Sequence, residues 1–515
     1  MKEEWSISLW SVALAVLGVL GIFLGTYLLR NFTVLWYFKK RNVPYSKPVF
    51  IFGNMLPMLR QRKSLAEFFQ DLYREFPNEK YFGAFEFGNP IYVLRDTELI
   101  KSVTVKHFDH FSNHKAYVDE SVDPLFGGNL FSMTGERWKE MRSIVSPTFT
   151  SSKMRVMFEL ISKCADDFTD YLEKQPRPLT VEMKGLFTRY TNDVIATAAF
   201  GVSVNSLENQ ENEFYLMGKD ATNPGGLTTI KMFLFSWSPT LMKILRQTYV
   251  SNKVATFFRN LVKDTISTRI KDGIVRPDLI HQLMQAKHKR GDEKLSIDEI
   301  TGQAFIFFFA GFDTASTLMS FTCHQLAVHS DIQDKLIAEI DAAYDEDGGK
   351  LSYDKVSQLK YLDMVLNETL RYYPPAVNTD RLSNLEFELP PPNGTDKPVI
   401  AKPGTRVWIP IFALHHDSQY FPDPEKFDPE RFSPENKGSI NPFAYMPFGV
   451  GPRNCPGSRF ALMETKIVLC CLLRKFRICV GSKTQVPLVL SRTSPVMTAE
   501  HGFWLDLESR KSAAC

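Results

Sequence analysis

Residues 5–29 carry no charged side chain, and an unbroken apolar run of that length makes about 37 Å of helix, enough to cross a bilayer. Lys2, Glu3 and Glu4 precede the run almost charge-balanced, whereas Arg30, Lys39, Lys40 and Arg41 follow it. The positive-inside rule therefore puts the rest of the chain in the cytosol. A cleaved signal peptide fits less well, because the run is too long and no small-residue cleavage site follows it. Trp36, Tyr37 and Phe38 read as an interfacial belt, and the basic stretch ending at Pro44 and Pro48 reads as a stiff linker. This divides the chain into an anchor and linker over 1–47 and a large domain over 48–515. Within it, 81–95 predicts a strand pair broken by Gly83, Gly88 and Pro90. From 151 to 295 apolar residues recur at helical spacing, with turns at 176–178 and 223–226 and a charged loop at 287–294. Ser296 and Glu299 form a capping box, and the apolar run beyond it predicts a helix of roughly 30 residues ending near Ala327. Ser330 and Gln333 signal the next helix, 361–373 another that Pro374 and Pro375 stop, and 456–476 the last. The proline-dense region 382–434 reads as short strands and loops. The predicted fold class is mainly α with minor β.

Composition narrows the function. A chain of 515 residues, 44% hydrophobic and 13% aromatic, buries a large core and is not disordered. A net charge of +3 gives no reason to expect nucleic acid. The cysteines at 164, 323, 455, 470, 471, 479 and 515 contain no C-x-x-C pair, which argues against a disulfide framework or a structural zinc site and fits reduced cytosolic thiols. With that topology the sequons at Asn31, Asn367 and Asn393 are expected to be unmodified. Gly21 and Gly25 form a G-x-x-x-G whose simplest reading is a lipid-facing one.

The chemistry concentrates at Cys455, in the run from Phe448 through Gly449, Gly451 and Arg453 to Gly457, a turn directly before a helix. A cysteine taken alone is usually a small buried hydrophobe. Here the helix N-terminus favours a thiolate, Arg453 adds positive charge, and the glycines let the loop approach a flat cofactor. Such a thiolate is a nucleophile or a metal ligand. Half a dinucleotide fingerprint is present in Gly449 and Gly451, but the third position is Asn454 and the context is a loop.

The pattern F-x-x-G-x-R-x-C-x-G closely resembles the haem-binding loop of the cytochromes P-450, and every fixed position matches. The resemblance implies haem b as cofactor, with Cys455 as the ligand of its iron and Phe448 and Arg453 beside it. A second match is Glu368 and Arg371 as E-x-x-R; alone it is only a surface ion pair worth a few tenths of a kcal/mol. With Arg431 in the downstream P-E-R-F segment, the resemblance implies a buried network serving folding. A third match is the segment from Ala310 to Thr314, fitting A-G-x-[DE]-T in mid-helix. Asp313 follows the apolar run 305–309, an unexpectedly deep place for an acid, and Gly311 offers room for the helix to widen. By resemblance, Asp313 and Thr314 deliver protons through water to the oxygen being activated. Trp138 and Arg142 match W-x-x-x-R and, with Arg381 and Arg453, resemble the residues that hold the haem propionates. The pocket is expected between the loop 111–131, the helix face with Ile306, Phe309 and Ala310, and residues 376–380. Its phenylalanines suit a lipophilic substrate.

These matches fall in the family's order along nearly the whole chain, and most resemble the animal microsomal group that oxidises foreign lipophiles, its insect branch included. The usual P-P-G-P hinge is reduced to Pro44 and Pro48. The resemblance implies a monooxygenase of the endoplasmic reticulum membrane that takes O2 and electrons from an NADPH-dependent flavoprotein reductase, with cytochrome b5 as a second donor. The chain has no flavin or nicotinamide fingerprint of its own, and Lys139, Arg459 and Lys466 are the basic residues expected to dock the donor. An isomerase or dehydratase needing no electrons is the alternative enzyme, disfavoured by Asp313 and Thr314. A non-catalytic haem protein is the binding-module alternative, and a thiol hydrolase lacks a placed histidine base.

Overall fold

The computed structural model describes residues 36–510 apart from 223–230, 232–233, 277, 288–293 and 394, together with isolated positions in the amino-terminal segment. All but isolated positions of the predicted anchor over 5–29, and the whole turn at 223–226, lie outside the described residues. In chain order the principal elements are β1 (Tyr81–Glu86), β2 (Asn89–Leu94), α1 (Gly135–Val145), α2 (Ser151–Glu173), β3 (Leu179–Glu182), α3 (Met183–Ile195), α4 (Glu213–Thr222) and α5 (Asn252–Asp272). They continue with α6 (Ile297–Val328), α7 (Ser330–Glu346), α8 (Lys360–Tyr372), β4 (Thr379–Leu382), β5 (Phe387–Leu389), β6 (Val399–Ala401), β7 (Arg406–Ile409), α9 (Ser458–Lys475), β8 (Phe476–Cys479) and β9 (Trp504–Ser509). The fold is mainly helical with small sheets, in agreement with the sequence.

Helix α6 organises the molecule. Its capping box forms as expected, with Ser296 N–H donating to Glu299 Oε2 at 2.9 Å and Glu299 N–H to Ser296 Oγ at 3.2 Å. Over 32 residues it packs against α3, α4, α5, α8 and α9. Among the described residues it is the one helix long and apolar enough to cross a membrane, but 61% of its most apolar window is buried, so it is a core helix. One apolar core gathers α2, α3, α8, α9 and the second half of α6; another gathers α1, α4, α5 and its first half. Gly218 of α4 permits one close approach, since a Cβ there would meet Phe308 of α6 at 2.3 Å.

The sheets are peripheral. One has the order β1-β2-β7-β4, with β1 and β4 antiparallel to their neighbours and β2 parallel to β7. A second has the order β3-β9-β8, and β5 pairs with β6. The expected strand pair is present, but Gly83 does not break it. It lies inside β1, where a side chain would strike the Phe38 ring at 2.6 Å. Phe38 is thereby fully buried among Tyr45, Phe85 and Tyr92 rather than part of an interfacial belt, while Trp36 remains 46% exposed. Ser330 does begin a helix but makes no cap. Gln333 is drawn instead to Leu326 O and Ile478 O, because those buried carbonyls have greater need of a donor.

Candidate active site

Where the two cores meet, the burial of α6 is interrupted. Ile306, Phe309, Asp313 and Thr314 keep accessible surface and Ala310 is exposed, although the helix around them is buried. Ile306, Ala310, Asp313 and Thr314 recur at three and four residues and so share a face. Exposure in the middle of a core helix means an internal cavity. Thr314 Oγ1 donates to Ala310 O at 2.6 Å within it. Phe309 meets Phe126 edge-on at 5.9 Å, and Phe126 meets Tyr249 at 4.3 Å, so the expected lining from the loop 111–131 does join α6.

Cys455 faces internal space as well. Its side chain is accessible, yet burial pushes its thiol above the ordinary range, opposed by N–H groups of Gly457 and Ser458 and by Arg142. A group both accessible and deeply enclosed lines a cavity. The loop holding it is fixed by Cys455 N–H donating to Phe448 O at 2.8 Å and Asn454 N–H to Gly451 O at 3.0 Å. Gly451 has a φ of +73°, and a Cβ there would sit 2.1 Å from Thr104 O, so no other residue fits. Helix α9 begins three residues after Cys455 and packs on α6.

Three arginines converge near this loop, each lowered first by burial. Arg142 donates to Asn454 O and Oδ1 at 2.9 and 2.7 Å. Arg381 is 1% exposed, falls to about 10, and has a buried Nε without a partner. Arg453 falls to about 9, with Arg381 and Arg142 adding to the effect. Its guanidinium donates to the carbonyls of Ser112 and Met133, both at 2.7 Å, and lies 4.1 Å from the Trp138 ring centroid. The expectation that Arg453 supplies positive charge to Cys455 is therefore corrected: carbonyls draw it away, and Arg142 takes that place. The acid in this group is Asp380. Burial raises it, but hydrogen bonds from His114 at 3.0 Å and Lys115 N–H at 2.9 Å, together with Arg406, hold it below the usual carboxylate range.

Asp313 is not an isolated deep acid. Lys184 of α3 donates to its Oδ1 at 2.6 Å and its carbonyl at 2.7 Å, and also reaches Ser316 Oγ and Thr317 Oγ1. Burial lowers Lys184, and Asp313 partly restores it. Gly311 serves packing rather than a widened helix, since a Cβ there would press on Ile195 Cδ1 at 2.9 Å. Glu368 and Arg371 are both fully buried and joined by two hydrogen bonds of 2.8 Å. Asp428 N–H adds a third at 2.8 Å, and Arg431 Nε stands 3.5 Å from Glu368. Lys466 is withdrawn from the surface by Asp363 at 2.7 Å, so it does not offer the docking charge expected of it. Lys184 and Asn454 carry no sign of a role in the sequence, and His114 and Asp380 appear there only within the stretches 111–131 and 376–380, because each depends on contacts between distant segments.

The sequence model of the family described as Cytochrome P-450 matches residues 43–505. The chain is 48% identical to cytochrome P-450 9e2 of Blattella germanica, over 99% of each sequence. It is 41% identical to the probable cytochrome P-450 9f2 of Drosophila melanogaster, over 92% of this chain and 95% of that one. With cytochrome P-450 6j1 of Blattella germanica it shares 35% identity over 96% and 97%. This chain belongs to the cytochrome P-450 family. It is a haem-dependent monooxygenase whose cofactor is haem b. The site fits that group: Arg381 and Arg453 face one carboxylate, Asp380, already shared with His114 and Arg406, leaving positive charge for the two carboxylates of the haem. The orphaned Arg381 Nε is a buried donor in need of an acceptor. A cytochrome P-450 also needs O2, a lipophilic substrate and a redox partner.

Proposed function

We propose that this cytochrome P-450 is a microsomal haem-thiolate monooxygenase, anchored by residues 5–29, that oxidises lipophilic compounds with electrons from an NADPH-dependent flavoprotein reductase and, secondarily, cytochrome b5. Foreign lipophiles are the preferred substrate class. The observation that carries the reading is the enclosed but accessible thiol of Cys455, beside three arginines with too little negative charge to balance them.

Haem b supplies the activation of O2 and the insertion of one oxygen atom into a C–H or C=C bond. Cys455 would hold its iron through the sulfur, which the N–H groups of Gly457 and Ser458 orient. Arg142, Arg381, Arg453 and the Trp138 indole would hold its carboxylates, and Phe448 and Ala310 would line its site. Thr314 holds a water in the cavity, and Asp313 replenishes the proton from the α3 side, where Lys184 keeps its carboxylate in place. Ile306, Phe309 and Phe126 exclude bulk water from the substrate. Glu368, Arg371 and Arg431 support the fold behind the loop.

The test is reconstitution of the full chain in lipid vesicles with the reductase and NADPH, under labelled O2, against a panel of lipophilic compounds. One labelled oxygen atom per product, with strict dependence on NADPH, is expected. Conversion without NADPH and without label identifies an isomerase or dehydratase instead.

A further inference from the structure

Phe126 and Tyr249 meet with their ring centroids 4.3 Å apart, and the Phe126 ring stands edge-on to Phe309 of α6 at 5.9 Å. Neither residue is fixed by a long element. Phe126 lies in a helix of four residues, Pro124–Gly127, and Tyr249 in the irregular segment before α5. One turn of helix is too short to hold a ring in place unaided.

One side chain joins the two rings. Asp123 is 3% exposed. Its Oδ1 accepts Phe126 N–H at 3.0 Å, and its Oδ2 accepts Tyr249 N–H and Val250 N–H, both at 2.9 Å. Each ring-bearing residue is thus held through its own backbone by the same carboxylate, although Asp123 and Tyr249 stand 126 residues apart. The neighbouring tie between these segments, Asp119 to Lys243 at 2.7 Å, is 36% and 53% exposed, so water and salt weaken it. A carboxylate only accepts, and can take all three N–H groups at once. An amide of the same shape has a single accepting oxygen, and its NH2 would face N–H donors on the other side. The position therefore requires an acid.

We propose that Asp123 is a positioning residue that holds the Phe126 and Tyr249 backbones on one carboxylate, sets the aromatic wall formed by Phe126 and Phe309, and so favours large aryl-bearing lipophiles over small ligands. The inference rests on the reading of the space beside α6 as the substrate pocket. Without the clamp the loop 111–131 and the segment before α5 part, and the Phe126 ring leaves Phe309. Large aromatic ligands then lose a contact that small ones never make.

The test titrates the full-length, haem-loaded protein in lipid discs with two nitrogen ligands: imidazole, which needs only the iron, and N-(biphenylmethyl)imidazole, whose rings extend into the cavity. The shift of the Soret band gives the Kd of each. Their ratio does not depend on how much of the protein is correctly folded, so a merely structural loss leaves it unmoved. The wild type prefers the aryl ligand. In Asp123→Asn the imidazole Kd is retained and that preference falls about two- to tenfold, the worth of one aromatic pair. On a Phe126→Ala background the same substitution changes the ratio no further. An unchanged ratio in Asp123→Asn, or an equal fall in the absence of the Phe126 ring, overturns the proposal. Should Asp123→Asn fail to load haem, Asp123→Glu, which keeps both oxygens but displaces them by one methylene, is judged by the same criteria. A wild type that shows no preference for the aryl ligand refutes the pocket reading instead, so the two failures are distinguishable.

Discussion

Replacing Glu368 by alanine removes the acceptor at the centre of the buried network. Its carboxylate receives Arg371 Nε and Nη2 and Asp428 N–H, each at 2.8 Å, with Arg431 Nε at 3.5 Å. Both members of the Glu368 and Arg371 pair are 0% exposed. The substitution therefore strands a guanidinium in the interior, at a cost of about 3–5 kcal/mol, a large part of the 5–15 kcal/mol typical of a folded protein. Burial outweighs Arg371 in setting the Glu368 carboxyl, which is raised above its usual range. The pair is thus held at a desolvation cost, and exchanging both members for apolar residues, Glu368→Leu with Arg371→Met, recovers much of the loss. Urea unfolding of the full-length protein in lipid discs, followed by far-ultraviolet circular dichroism, measures this. Asp71→Ala is the control: it breaks the exposed Lys63–Asp71 pair, 43% and 48% exposed, and costs less than about 1 kcal/mol. A Glu368→Ala loss no larger than the control's refutes the reasoning, as does a double variant no better than the single.

Further predictions concern pH, the cysteine loop and the proton path. His415 is fully buried and neutral, with Nδ1–H donating to Arg371 O at 3.1 Å and Nε2 accepting Met446 N–H at 3.0 Å. Burial, His416 and Arg371 push its pKa down to about 3. A depressed folded-state value gives stability that is complete above the unfolded value of 6.5 and is lost as pH falls toward 3. By pH 5 the loss attributable to His415 is about 2 kcal/mol; a His415→Gln variant, less stable at pH 7, should close on the wild type by that amount in unfolding titrations at pH 5. Gly451→Ala forces a Cβ against Thr104 O at a positive φ, so purified protein should carry little haem by absorbance ratio, and normal loading would contradict the loop geometry. Thr314→Ala removes the hydroxyl exposed in the cavity; product formed per NADPH should fall while NADPH consumption continues, and unchanged coupling would exclude Thr314 from the proton path.

The local parts of this molecule were legible in the sequence. The capping box at Ser296 and the stop at Pro374 are decided within one turn of helix, and the glycines around Cys455 are demanded by the backbone itself, so each was found close to where the structure has it. Asp313 shows the limit. Its depth among phenylalanines marked it as unusual, but its partner, Lys184, comes from a helix 129 residues earlier, and nothing in either segment announces the other. Arg453 and Arg142 show the same limit in another form. Sequence proximity favoured Arg453 as the charge beside Cys455, whereas three-dimensional packing gives Arg453 to carbonyls and brings Arg142 across instead. Lys466 appeared solvent-facing by charge alone and is claimed by Asp363.

The most direct test of the account is the spectrum of the dithionite-reduced protein under carbon monoxide, taken beside a Cys455→His variant. The account predicts a strongly red-shifted Soret band in the wild type that is lost in the variant, because a thiolate and an imidazole donate differently to the iron. A wild-type band typical of histidine ligation, or a red-shifted band that survives in the variant, would contradict Cys455 as the haem ligand.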